Sequence, residues 1–267
     1  MKELLTRSLS GLIFISLLIF SVFYSETAIL VVFVVFGLVC MTEFSKLINL
    51  RGFIQHIIFL VIVGVFAYWK PSQEATMILL VFSIFVSFFL IQDLFTKKVI
   101  PLFQFKKFLL ATFYISSSFA FLLLIPSAAG TYEPCIILGS FILVWVNDSF
   151  AYLTGKNFGK QKLFERISPK KTVEGFLGGL LFSCVASYFI AKFTDTLSFS
   201  SWLILAIIIS SIGTIGDLIQ SKFKRQANVK DSGSILPGHG GIFDRLDSMI
   251  FSAPFIYLFL KILDYVS

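Results

Sequence analysis

A polar stretch between residues 216 and 247 concentrates the side chains that could do chemistry. It separates two apolar runs and contains four carboxylates, five basic side chains, five glycines and one of the two histidines. The acids are Asp217, Asp231, Asp244 and Asp247, and the bases are Lys222, Lys224, Arg225, Lys230 and Arg245. Carboxylates bind hard cations, and cations together with Lys and Arg neutralise phosphates. The stretch therefore predicts a metal-assisted site for a polyphosphate substrate at a membrane surface.

The last two acids of this stretch are spaced for joint action. If Gly241–Asp247 opens the last helix, Asp244 and Asp247 face one direction and could share one cation or bracket two. Asp231 could add a third ligand from the preceding loop. The alternative is helix capping with pairing to Arg245, which is poor geometry because adjacent helical side chains point apart.

The end of the preceding apolar run carries a second polar group. Asp217 and Ser221 are four residues apart, and Asp217 either lines a site or forms a salt bridge with a neighbouring helix. Lys222 and Arg225 are spaced to form one basic face, with Lys224 beside them. These bases could contact a triphosphate or a lipid phosphate, or could simply attract anionic head groups.

The glycine-rich turn has its own candidates. His239 could donate a hydrogen bond to a phosphate or orient a carboxylate, or it could be structural. Gly238, Gly240 and Gly241 could let backbone N–H groups approach an anion, or could serve turn geometry alone.

An earlier polar segment follows the sixth apolar run. Asp148 is the only acid in that run and should point into the helix bundle, as a metal or substrate ligand or as a structural hydrogen-bond partner. Lys170 and Lys171 form a point-charge pair suited to phosphates, and Pro169 favours extended backbone at Ser168. We expect lipid-facing roles for Lys156, Lys160, Lys162 and Arg166.

Composition places the chain in a membrane. Hydrophobic residues make up 57% and charged residues 14% of the chain, against about 25% charge in soluble domains, and the mean hydropathy is +0.92. A bilayer-crossing helix needs about 17–25 mostly apolar residues. We therefore predict an all-α polytopic integral membrane protein with about nine transmembrane helices. The candidate spans are Leu9–Tyr24, Ala28–Leu47, Gln55–Trp69, Ala75–Leu94, Phe108–Ile125, Cys135–Leu153, Val173–Ala191, Trp202–Ile219 and Met249–Val266.

The basic residues predict the orientation. With the N-terminus in the cytoplasm, only Lys70, Lys192 and Lys261 of the 22 Lys and Arg residues fall on the opposite side. The positive-inside rule thus favours N-in and C-out, with the polar segments 154–172 and 220–248 in the cytoplasm. It also explains the net charge of +7 without a nucleic-acid partner.

The two halves of the chain differ in polar content. We predict a membrane scaffold over residues 1–130 and a catalytic membrane region over residues 131–267. Glu43 and Asp93, the acids near helix ends in the first region, are expected to be structural or interfacial.

Both polar segments carry a resemblance. Ser221–Arg225, Lys230–Gly233, Pro237–Gly241 and Asp244–Asp247 resemble the signature of the phosphatidate cytidylyltransferase (CDP-diglyceride synthase) family. Asp148–Tyr152, Phe158–Lys160 and Ser168–Thr172, followed by Glu174 and Gly175, resemble that family's preceding cytosolic loop. The two blocks cover roughly a fifth to a quarter of the chain. Val173 stands where the family pattern has Trp, and Gln220 where it has Glu.

The resemblance implies a reaction and a set of roles. The phosphate of phosphatidate would attack the α-phosphorus of CTP, releasing pyrophosphate and giving CDP-diacylglycerol, with Mg²⁺ and room for a second cation. The implied partners are CTP, phosphatidate and membrane lipids, a homodimer is left open, and the implied location is the cell (plasma or inner) membrane with the site facing the cytoplasm. Catalytic roles fall on Asp231, Asp244, Asp247, Lys222, Arg225 and His239. Substrate contacts fall on Lys170, Lys171, Asp217, Ser221, Lys224, Lys230, Gly238, Gly240, Gly241 and Arg245. Metal ligands would be Asp148, Asp231, Asp244 and Asp247.

Two other functions remain open from the sequence. A CTP-dependent kinase of a polyprenol or phytol-like alcohol would move the attack to the γ-phosphorus and would need a base, with His239 or an Asp as the candidate. A transporter or channel would use acids at mid-membrane, whereas these acids lie at the ends of spans. The absence of a convincing internal repeat also weakens the transporter hypothesis.

Overall fold

The fold is a bundle of apolar helices with one short hairpin. The computed structural model describes residues 2–235, 238 and 240–266, with side chains for residues 9–265 within those ranges. The helices are α1 (Lys2–Tyr24), α2 (Glu26–Leu47), α3 (Ile54–Val63), α4 (Gln73–Phe95), α5 (Gln104–Leu110), α6 (Ser117–Leu124), α7 (Pro134–Phe158), α8 (Val173–Thr194), α9 (Phe199–Gln226) and α10 (Phe243–Val266). A π-helical turn at Gly64–Trp69 extends α3, and another at Ala111–Ser116 joins α5 to α6.

The predicted spans all coincide with helical segments. In the described part of the chain, seven segments are helical, long and apolar enough to cross a membrane. The apolar segments Leu9–Tyr24 and Ile54–Trp69 are also helical but shorter. The prediction of a helical polytopic membrane protein is therefore confirmed, whereas the number of crossings and the N-in, C-out orientation stay predictions.

The segment between α7 and α8 differs from the loop that we expected. Helix α7 continues to Phe158, and an antiparallel hairpin then forms from β1 (Lys162–Phe164) and β2 (Ser168–Thr172). Lys162 lies opposite Thr172. Among the described residues, this hairpin is the one element that is not helical. The hydropathy profile could not reveal it because its residues are mostly polar.

Local contacts fix the base of the hairpin. Pro169 lies in β2, so the extended backbone predicted at Ser168 is confirmed. The Glu174 carboxylate at the start of α8 accepts hydrogen bonds from the backbone N–H groups of Lys160 (3.0 Å) and Gln161 (3.1 Å). These bonds tie the end of α7 to the first turn of α8.

The ends of α9 and α10 also differ from the predicted boundaries. Helix α9 runs on to Gln226, seven residues beyond the predicted end of that span at Ile219, because no Gly or Pro interrupts residues 217–226. Asn228, with a left-handed φ of 56°, follows the helix end. Helix α10 begins at Phe243 and not at Gly241. Much of the predicted polar loop is therefore helical.

Glycines bring the helices of the second half close together. A Cβ on Gly179 of α8 would lie 2.7 Å from both the backbone and side-chain oxygens of Asn147 on α7. A Cβ on Gly216 of α9 would collide with Phe251 of α10. Small residues allow such close packing where lipid supplies no hydrophobic drive between helices. The polar ends of these four helices therefore lie near one another.

An aromatic core connects the two halves of the chain beneath those polar ends. The ring of Phe44 on α2 lies 5.5 Å from Phe223 on α9 and 5.7 Å from Phe243 on α10, measured between centroids. Tyr114, in the π-helical turn, lies 6.0 Å from Phe251. The division at residue 130 stays a prediction, but the first half of the chain packs directly against the polar region of the second.

We predict that Gly179→Val destabilises the fold. The added side chain must displace Asn147, and overpacking of this kind costs about 1–3 kcal/mol. Thermal unfolding of the detergent-purified protein measures the loss. The control is Leu177→Val, one helix face away and exposed at the bundle surface, for which we expect less than about 0.5 kcal/mol. An unchanged midpoint for Gly179→Val would contradict the close packing of α7 on α8.

Candidate active site

Charged side chains from three elements, β2, α9 and α10, meet at one end of the bundle. Lys171 of β2 forms an ion pair with Asp217 of α9 at 2.5 Å, and Lys224 of α9 forms one with Asp244 of α10 at 2.8 Å. Asp217 and Lys224 are seven residues apart, which places them two turns apart on the same face of α9. One helix thus contributes an acid to one pair and a base to the other.

Lys171 lies at the centre of the acidic group. Its side chain is 28% exposed, and burial alone would lower the pKa of the ammonium group. The carboxylates of Asp217, Asp247 and Asp148 outweigh burial, so the pKa of Lys171 is raised above its ordinary value. The ammonium therefore stays charged near neutral pH and offsets part of the repulsion among the three acids.

Asp244 is held by several donors at once. Its Oδ1 accepts from Lys224, and its Oδ2 accepts from the backbone N–H of Ser232 (2.8 Å), the hydroxyl of Ser232 (2.9 Å) and the backbone N–H of Gly241 (3.0 Å). The side chain is only 9% exposed. Asp244 therefore fastens the glycine-rich segment to the first turn of α10.

Asp247, one turn further along α10, has different surroundings. It is half-buried, and it interacts electrostatically with Asp217, Asp148, Lys171 and Lys224. The two acids that we expected to act together are both close to Lys224, but Asp244 is engaged by the loop and Asp247 faces the acidic group.

A cavity of about 440 Å³ adjoins this group. Asp148, Asp217 and Lys171 lie on its wall, and Ala151, Phe176 and Leu163 supply apolar surface. Further lining residues with basic side chains are Lys156, Lys162 and Lys170. We expected Lys156 and Lys162 to face lipid, but both lie on this wall, Lys156 on α7 and Lys162 on β1 of the hairpin. The cavity can therefore hold a molecule with both anionic and apolar parts.

The acidic group can be tested as a cation site. Among the described residues, no cluster of three or more His, Cys, Asp or Glu side chains is arranged to hold a metal ion. Mg²⁺, however, commonly takes only one or two carboxylates and completes its shell with phosphates and water. Asp217 and Asp247, close enough to repel each other, fit that donor set. Asp244 fits it less well, because Lys224 and the backbone N–H groups of Ser232 and Gly241 already donate to its oxygens.

Two bases that the sequence assigned to catalysis point elsewhere. The ammonium group of Lys222 donates to the backbone oxygens of Asp93 and Thr96 (3.0 Å for Thr96) at the end of α4. Arg225 donates to the backbone oxygens of Ile167 (3.5 Å) and Val229 (3.2 Å). Both side chains thus fasten neighbouring segments to α9, and their proposed catalytic roles stay untested.

The other predicted residues lie around the two ion pairs. The Ser221 hydroxyl donates to Asp217 at 3.2 Å, and Arg245 is exposed and acts electrostatically on Asp148. Gly238 and Gly240 have positive φ angles of 76° and 85°, which favour glycine. Exposed side chains with predicted roles are Lys170, Lys230 and Asp231. His239 lies outside the described residues.

The structure adds one polar residue to this region that the sequence did not assign to it. Glu43 of α2 is 3% exposed and accepts hydrogen bonds from the Ser232 hydroxyl (3.1 Å) and the Phe243 N–H (2.9 Å). An acid in an apolar helix was the available signal, but its partners lie about 190–200 residues away in the chain. Gln220, which replaces the expected Glu, is fully buried in α9.

Comparison with known proteins gives matches to cytidylyltransferases, both by a family model and by individual relatives. A family model described as "Cytidylyltransferase family" matches residues 5–263. Two proteins named phosphatidate cytidylyltransferase, from Staphylococcus aureus and Staphylococcus saprophyticus, are 48% and 49% identical to this chain over 126 residues. Each match covers 46% of this chain and 48% of the relative, so the chain matches about half the length of these curated relatives.

Proposed function

Since this chain belongs to the cytidylyltransferase family, we propose that it transfers the cytidylyl group of CTP to phosphatidate, giving CDP-diacylglycerol and pyrophosphate. The observation that carries the proposal is the cavity beside the Lys171–Asp217 pair, which combines basic side chains with apolar walls. A lipid phosphate and a nucleotide triphosphate both need such neutralisation, and only the lipid needs the apolar surface. The name shared by the staphylococcal relatives supports this choice of substrates.

The lipid phosphate would lie beside the lysines of the cavity. Lys156, Lys162 and Lys170 can hold the phosphate of phosphatidate, while Ala151, Leu163 and Phe176 contact the adjoining apolar part of the lipid. The phosphate monoester is already an anion, so the attack on the α-phosphorus needs no general base. What the chain must supply is alignment of the two substrates and neutralisation of their charges.

The acids would hold the cation that accompanies the triphosphate. Asp217 and Asp247 fit a Mg²⁺ ion that keeps water and phosphate ligands. Asp148 on the cavity wall could bind a second cation. The bound ion would neutralise developing charge on the phosphates. Lys224 lies next to both Asp244 and Asp247 and would add a fixed positive charge to the same place.

The fate of each phosphate tests the reaction. Purified protein, Mg²⁺ and phosphatidate are given CTP labelled either at the α- or at the γ-phosphate. We expect α-label in the lipid and γ-label in pyrophosphate, with no reaction when diacylglycerol or a polyprenol replaces phosphatidate. Transfer of γ-label to an alcohol, with release of CDP, would overturn the proposal in favour of the lipid kinase. No transfer to any acceptor would also overturn it.

We predict that Asp247→Asn lowers kcat by about 10²–10³, corresponding to the loss of roughly 3–4 kcal/mol of transition-state stabilisation. The substitution keeps the shape of the side chain and removes the charge that would hold the cation. Higher Mg²⁺, or Mn²⁺ in its place, should recover part of the rate.

Asp195→Asn provides the matched control for this prediction. Asp195 is exposed at the far end of α8 and has a left-handed φ of 48°, which Asn also tolerates. We expect wild-type kinetics from it. A correctly inserted Asp247→Asn protein with wild-type kcat and unchanged Mg²⁺ dependence would exclude the cation role.

We also propose that the chain lies in the cell membrane in an N-in, C-out arrangement and that its site faces the cytoplasm. The distribution of basic residues supports this orientation, and CTP is available on that side. Single cysteines at Ser234→Cys and Ala129→Cys, both exposed positions, should react from opposite sides in a background lacking Cys40, Cys135 and Cys184. A membrane-impermeant maleimide added to intact cells should label only Ala129→Cys. Labelling of Ser234→Cys from outside would reverse the orientation.

A further inference from the structure

A buried carboxylate from the first half of the chain reaches the glycine-rich segment of the second. Glu43 of α2 lies between Ser232 and Phe243, with Oε2 accepting from the Ser232 hydroxyl at 3.1 Å and from the Phe243 N–H at 2.9 Å. It contacts the segment at its first turn and at the residue that begins α10. A single side chain thus sets the distance between these two residues.

Ser232 and Gly241 of the same segment also donate hydrogen bonds to Asp244 of α10. The Ser232 hydroxyl lies 2.9 Å from Oδ2 of Asp244, which also accepts from the N–H groups of Ser232 and Gly241. A hydroxyl has one proton, so Ser232 can donate to Glu43 or to Asp244 but not to both at once. The two carboxylates are therefore coupled through Ser232, and the position of one affects the hydrogen bonding of the other.

Two glycines show that the space around Glu43 is filled. A Cβ on Gly233 would overlap the Glu43 carboxylate, and a Cβ on Gly241 would overlap both that carboxylate and the Ser232 hydroxyl. Next to Glu43, the ring of Phe44 packs against Phe243 at 5.7 Å and so fixes the distance from α2 to α10. Gly233 and Gly241 therefore already pack directly against the Glu43 carboxylate.

Burial of this carboxylate has a cost that its hydrogen bonds must offset. A carboxylate removed from water is unfavourable unless it is paired or hydrogen-bonded. A leucine of similar size would avoid the desolvation but would accept no bond from Ser232 or Phe243. The contribution of Glu43 is therefore the fixed placement of these two donors.

We propose that Glu43 is a positioning residue for the cytidylyl transfer, which acts by holding Ser232 and Phe243 so that Asp244 and Lys224 keep their places. The expected effect on kcat rests on the proposed function, whereas the placement of Ser232 and Phe243 rests on the hydrogen bonds alone. The role of Glu43 makes α2 part of the active site, although α2 lies outside the predicted catalytic region.

The test compares Glu43→Leu with Glu43→Gln. The leucine variant loses both accepted hydrogen bonds, and a misplacement of about 1 Å can cost about 10²-fold in rate. We therefore expect kcat to fall about 10²-fold while KM for phosphatidate stays within about threefold. The glutamine variant keeps an acceptor oxygen and should retain kcat within about tenfold. Glu74→Leu, an exposed position at the start of α4, is the control and should match the wild type.

A second measurement reports the segment directly. Trypsin cleavage after the exposed Lys230, identified by fragment mass, should be faster in Glu43→Leu than in the wild type and unchanged in Glu43→Gln. Ser232→Ala leaves the aromatic core intact and serves as the test if Glu43→Leu fails to insert. We expect it to be cleaved faster than the wild type and to lose about tenfold in kcat.

The outcomes separate this inference from the proposed function. A wild-type protein that transfers no cytidylyl group overturns the function, whereas the cleavage rates still decide whether Glu43 holds the segment. Wild-type cleavage and wild-type kcat in both Glu43→Leu and Ser232→Ala would overturn the positioning role. Equal losses in Glu43→Gln and Glu43→Leu would also overturn it, because the effect would then depend on the charge and not on the accepted bonds.

Discussion

The site depends on the neutralisation of carboxylates that lie at the ends of apolar helices. A charge in such a place is costly without a partner, and the partners here come from other elements. Lys171 of β2 pairs with Asp217 of α9, and Lys224 of α9 pairs with Asp244 of α10. Each pair therefore connects two elements, and α9 takes part in both. The same interactions that make the acids tolerable bring the hairpin, α9 and α10 together around the cavity.

Much of this arrangement follows from helix geometry. Residues advance by about 100° each around a helix, so Asp217, Ser221 and Lys224 share one face of α9, and Lys222 and Arg225 share another. The first face meets α10 and β2, whereas the second meets the end of α4 and the hairpin turn. The sequence signature grouped Lys222 with Lys224, but the two side chains lie on different faces of α9. Lys222 contacts the end of α4, and Lys224 contacts Asp244.

Hydropathy was sufficient to predict the helices, and residue type was sufficient to single out acids that the structure brings together, because both are local properties. The contacts that hold the site are not local. Glu43 meets Ser232 and Phe243 across about 190–200 residues, and no spacing in the sequence connects them. The hairpin at residues 162–172 was missed for a related reason, since its strands are short and polar and are fixed by Glu174 and by the contact of Thr172 with Gly155 of α7. The extension of α9 to Gln226 could have been predicted from the sequence, because residues 217–226 contain no helix-breaking Gly or Pro.

The charge balance explains how an acidic site can serve an anionic substrate under the proposed function. Counted as fully ionised, Asp148, Asp217, Asp244 and Asp247 would carry four negative charges, against three positive charges on Lys171, Lys224 and Arg245, so the formal net charge of the inner group is −1. A triphosphate alone would be repelled there, whereas a triphosphate carrying Mg²⁺ would be attracted by the unsaturated acids. The outer wall, with Lys156, Lys162 and Lys170, instead favours an anion without a cation, such as a lipid phosphate. Under the proposed function, the inner acids would hold the cation-bound triphosphate and the outer lysines would hold the lipid phosphate, so that the two anions could lie side by side with their charges neutralised.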